Sequence, residues 1–187
     1  LIKIAIIIAA GFMDFAMNFM FNIVLKVPLF LDTTFMIAVL FIFGPVESFF
    51  AYIVNMLCTA LRLYILYGST EYIYLYSLSA ITIILITWLS IKHFSLKYSQ
   101  DLSVNKIFIR FLLTAIVAAL ACSVVSGFIS YFTFQNNSDD WAFDKIIFSL
   151  SSVTGENMLK TFIIGRIPIT VLDRIITTFA GYGVYLL

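Results

Sequence analysis

Long apolar stretches broken by short polar or turn-forming interruptions run the length of the chain, dividing it into segments near 1–25, 29–44, 46–66, 72–91, 107–131 and 169–187. Several approach the roughly 20 residues that a helix needs to cross a hydrocarbon layer of about 30 Å, and none alternates with the period of two of a barrel strand. The interruptions have local causes. Lys26-Val27-Pro28 closes the first segment, Gly44-Pro45 separates the second from the third with a proline placed to start a helix, and Gly68-Ser69-Thr70 closes the third. The pattern predicts one all-α integral membrane domain over 1–187, a six-transmembrane-helix bundle.

One stretch breaks the pattern. From Trp141 to Pro168 charges recur every few residues among apolar positions at helical spacing, which predicts short amphipathic helices lying over one mouth of the bundle. The competing reading, a seventh span centred on 143–164, would bury Asp144, Lys145, Glu156 and Lys160.

Composition strengthens the membrane assignment. The chain is 63% hydrophobic and 11% charged, against about 25% charged in an ordinary soluble domain. A formal net charge of +1 supplies no field to recruit nucleic acid. Cys58 and Cys122 both fall within apolar runs without metal-ligand spacing, which fits buried free thiols. Lys92, Lys97 and Lys106 gather in one connection, whereas the next, with Asp139 and Asp140, is acidic; the positive-inside rule places the first connection, and with six spans both termini, in the cytoplasm of a multi-pass inner-membrane protein.

Polar residues inside such helices are candidates for function. Asp14, Asn18 and Asn22 follow at i, i+4 and i+8 on the first helix, a stripe that has to face the bundle interior as packing glue or as part of a ligand path. Asp32, Arg62, Arg166, Asp173 and Arg174 share one membrane level at the outer ends of their helices. There they can line a cavity for a small polar molecule, or else snorkel and cap. Neighbouring helical residues point about 100° apart, so Asp173 is expected to face inward and Arg174 to turn toward headgroups. Asn55, with Thr59 one turn on, extends the polar path, whereas Glu47 just after Pro45 fits a helix-capping role. The tyrosines from Tyr64 to Tyr76 crowd one outer connection and can wall a pocket. Ala5 and Ala9 form a small-residue patch that lets another helix approach. Hydrolytic, phosphate-cradling and metal-binding motifs are missing. An enzyme is the weakest class, and no cofactor is expected.

The stretch from Leu31-Asp32-Thr33 through Gly44-Pro45 to Asn55, and the closing segment with Arg166, Pro168, Asp173 and Arg174, resemble the substrate-binding S components of energy-coupling-factor transporters. The resemblance implies a six-helix bundle that takes its ligand from outside, with Ala5 and Ala9 docking a transmembrane coupling subunit. Similar domains form the membrane sensory front of bacterial signalling proteins. Three functions follow as expectations. The first is recognition of a small, vitamin-like polar metabolite for uptake. The second is ligand sensing for a cytoplasmic output domain continuing beyond Leu187. The third is a structural membrane-assembly role.

Overall fold

The computed structural model describes residues 1–27, 29–68, 73–94, 104–136 and 157–186. Helix α1 (Ile2–Asn18) runs on as a π-helical segment, Phe19–Val24. Then come α2 (Thr34–Ile42), α3 (Pro45–Tyr67), a 3-10 turn (Ile73–Tyr76), α4 (Ser77–His93), α5 (Val104–Asn136) and α6 (Met158–Leu186). No strand occurs among the described residues.

Among the described residues, four stretches are long and apolar enough to cross a membrane: Ile2–Val24, Pro45–Leu66, Tyr74–His93 and Asn105–Thr133. The expected segments differ from the observed helices at two elements. At about 1.5 Å per residue, the nine residues of α2 reach less than half way across a bilayer core. This helix is apolar on all sides, and Met36, Ile37, Val39, Leu40 and Phe41 are all buried. A helix hydrophobic all round belongs in the middle of a structure; α2 is the axis around which α1, α3, α4 and α6 pack.

The second difference concerns α6, which begins eleven residues before the predicted 169 and passes unbroken through Pro168. Membrane helices tolerate an internal proline, and Pro168 removes only the N–H that would reach the Ile164 carbonyl one turn earlier. Residues 158–168 are therefore the first turns of a long helix and not a separate cover. The remainder of the expected cover, 141–156, lies outside the described residues, as does most of the basic connection at 95–103.

Close approach sets the packing. A Cβ at Gly11 would lie 2.5 Å from the Ala51 carbonyl oxygen, and one at Gly181 would lie 2.7 Å from that of Thr34, so these glycines seat α1 on α3 and α6 on α2. At one end of the bundle Phe41 stacks among Phe111, Tyr182 and Tyr185. Lys3 pairs with Glu47 in the first turn of α3 at 2.6 Å, and Arg110 donates to the Phe94 carbonyl at the end of α4 at 2.6 Å. Chain direction alternates from helix to helix, so the termini of α1 and α6 share this end. The long flanks carry exposed Ile4, Ile8, Leu57, Leu61, Leu85 and Leu89, an apolar belt suited to lipid.

Candidate functional site

The site grows out of the short non-helical stretch before α2. Backbone N–H and C=O groups buried without a helix need other partners, because hydrocarbon offers none. The stretch reaches the interior through a left-handed turn at Leu31, whose φ is +47° although it is not glycine. Three side chains from three helices bond its backbone, and a fourth holds a side chain. Asn18 Nδ2 donates to the Phe30 carbonyl at 3.2 Å, and Asn55 Nδ2 donates to the Asp32 carbonyl at 3.0 Å. Asp173 Oδ1 accepts from the N–H groups of Phe30 and Leu31 at 3.0 and 2.9 Å. Arg174 donates to the Thr33 hydroxyl.

Asp14 completes the frame from further along. Its two oxygens accept the N–H groups of Phe35 and Met36, both at 2.8 Å. Thr33, at the N-cap position of α2, makes no side-chain cap hydrogen bond; a residue of α1 caps α2 instead. The local sequence carries no capping motif because the cap is tertiary.

Beside this stretch, in the half of the bundle away from the Lys3–Glu47 end, lies a cavity of about 150 Å³. Of the candidate site residues, Asn18, Asp32, Asn55, Arg166 and Asp173 line it. Asp32 is the carboxylate with surface to spare: its side chain is 30% exposed, and its ion pair with Arg174 is loose at 3.7 Å. Asp173 is fully buried and committed, with Oδ1 on two backbone N–H groups and Oδ2 on Arg174. Arg166 donates to Ser130 Oγ at 2.6 Å, and that hydroxyl lies 3.0 Å from the Tyr76 hydroxyl.

Three expected site residues do not line the cavity. Asp14 is held in its capping role, Asn22 sits half-buried in the π-helical segment, and Arg62 is half-buried on α3 away from the lining. Arg174 is a correction of a different kind, because it is 4% exposed rather than turned to headgroups. Its arm is long enough to fold back onto its neighbour Asp173, so the two share one interior face despite their angular separation. Of the tyrosines expected to wall the pocket, Tyr76 lines it, whereas Tyr64 and Tyr74 are exposed; Tyr72 lies outside the described residues.

The lining also contains Cys122, expected only as a buried thiol, and Tyr52, Met56, Ser79, Ile83 and Ser126, which the polar pattern does not single out. Serines and cysteines are unremarkable in membrane helices, so their identity gave no signal. Ser79 Oγ is buried with no hydrogen-bond partner among the described residues, and the same holds for Arg174 Nε. Buried polar atoms of this kind are uncommon. Both belong to residues that line the cavity.

Ala5 and Ala9 are exposed on α1, on the side opposite the face that Ala10 and Gly11 bury. No family model, curated protein or solved structure matches the chain.

Proposed function

We propose that the chain is a membrane-embedded recognition domain that takes up a small polar metabolite from the outer side, serving as the substrate-binding subunit of an uptake transporter. The observation that carries this reading is a cavity inside an apolar bundle, lined by Asp32, Arg166, Asp173 and Arg174. Ionisable groups are costly at membrane depth, and where they surround a cavity they mark a ligand path. A purely structural protein would leave Asp32 half open and Ser79 unsatisfied for no return. The exposed Ala5 and Ala9 provide a close-packing surface for a coupling subunit. In this reading both termini face the cytoplasm and the cavity opens outward in the inner membrane.

One feature favours a sensor as the second reading. Helix α6 contributes Arg166, Thr170, Asp173 and Arg174 to the cavity and continues to Leu186 at the opposite end, so ligand contacts bear on the element that would join an output domain. Co-purification separates the two: a transmembrane partner held through α1 supports transport, and a cytoplasmic domain whose activity follows ligand supports sensing.

Asp32→Ala tests the shared premise. In detergent or nanodiscs the variant is expected to keep the thermal unfolding temperature of the parent and to lose metabolite binding by calorimetry. Loss of stability in parallel with binding would give Asp32 a structural role and remove the main support for recognition.

A further inference from the structure

The cavity is small and its chemistry is divided. Drug-sized ligands occupy pockets of about 300 Å³ or more, whereas a void of about 150 Å³ accommodates one benzene-sized ring. A cavity of about 150 Å³ therefore calls for a molecule smaller than most vitamins. Its apolar lining includes Tyr52, Met56, Ala80 and Ile83, and its charged lining comes from α6 and the stretch before α2.

In the polar lining the needs differ from atom to atom. Asp173 has both oxygens occupied, and Asn18 and Asn55 each place one amide N–H on a backbone carbonyl. Two charged groups keep capacity. Asp32 holds Arg174 at 3.7 Å, well beyond the roughly 2.7–2.9 Å of a charge-assisted hydrogen bond, so it has room for a strong donor. Arg174 Nε–H is buried without an acceptor among the described residues and calls for an oxygen. Among the described residues the charged lining is two carboxylates, Asp32 and Asp173, and two guanidiniums, Arg166 and Arg174. A ligand of net charge would unbalance this set in a poorly solvated place, whereas a neutral molecule with separated charges leaves it balanced.

We infer that the cavity takes a small zwitterion of the α-amino acid type, its ammonium on Asp32, its carboxylate at Arg174 and an aliphatic body against Tyr52, Met56 and Ile83. This rests on the recognition reading above and narrows it from metabolites in general to one charge pattern and size. Ser79, also in the lining, supplies a hydroxyl for any further polar atom of the ligand.

The test uses three probes of one shape with the whole chain in nanodiscs: L-leucine, isoamylamine, which lacks the carboxylate, and isocaproate, which lacks the ammonium. Calorimetry is expected to give leucine an affinity at least about tenfold above either truncated probe. Leucine should also slow alkylation of Cys122, which lines the cavity. Asp32→Asn keeps the side-chain shape, and in it the preference for leucine over isocaproate is expected to collapse to within about twofold. Equal binding of isoamylamine or isocaproate and leucine by the parent protein would overturn the zwitterion. So would silence from all three alongside a larger metabolite that binds and is lost in Asp32→Ala, and in both cases recognition itself survives. If neither the probes nor a broad metabolite panel binds or protects Cys122, the inference and the recognition reading fall together.

Discussion

Asp14 and Asp32 are both carboxylates turned into the bundle, and only one of them has anything left to offer a ligand. Asp14 is fully buried with its oxygens on the Phe35 and Met36 N–H groups. Asp14→Asn would place an amide N–H₂ against one of those donors, so it is expected to lower stability by about 1–3 kcal/mol. Thermal unfolding would record the loss while affinity at the cavity stays within about twofold. The Asp173 and Arg174 pair behaves differently. Removing Arg174 leaves Asp173 buried without the guanidinium and Asp32 without its 3.7 Å neighbour, and breaking a buried pair from one side costs about 3–5 kcal/mol. Arg174→Gln is therefore expected to destabilise at least as strongly as Asp173→Asn in the same unfolding assay. A mild effect would mean that the guanidinium is not the partner that keeps Asp173 in place.

At the scale of elements, the helices of spanning length were legible because length and apolarity are local properties. The ends of α2 and α6 were not. Helix α2 starts at Thr34 and not at 29 because the backbone of 29–33 is taken up by Asn18, Asn55 and Asp173, residues distant in sequence that no local pattern announces. Pro168 reads as a helix start, yet α6 carries it in its interior. The interior position of the polar residues was legible, whereas the division between those that hold backbone and those that face the cavity depends on atomic partners. Small-residue positions on α1 show the same limit. Gly11 is pressed on Ala51 and Val54 of α3, while Ala9, two residues earlier, is exposed. Gly11→Ala is expected to cost about 1–3 kcal/mol by overpacking. Ala9→Leu should leave the unfolding temperature of the isolated chain unchanged and, if a coupling subunit docks there, abolish its co-purification.

For the whole molecule, function depends on which end of the bundle meets the outside, since a cavity that opens to the cytoplasm cannot collect a metabolite for uptake. The alternating helices put Lys3, Lys92, His93, Lys106 and Arg110 toward one end, and the cavity lies in the other half, toward Lys26. Basic residues flanking spans are retained on the cytoplasmic side, so the cavity half should face outward. Single cysteines in a background with Cys58 and Cys122 replaced by alanine can decide this. His93→Cys lies at the end of α4, and Lys26→Cys follows the π-helical segment; both positions are exposed. A membrane-impermeant maleimide is expected to label Lys26→Cys in intact cells and His93→Cys only after permeabilisation. Cys122 in the parent protein reports occupancy of the cavity on either side, because a small permeant thiol reagent entering by the cavity should be slowed by bound ligand while one approaching Cys58, which is outside the lining, should not. The reverse labelling pattern would turn the cavity toward the cytoplasm and end the uptake reading, leaving sensing of an internal metabolite as the function to pursue.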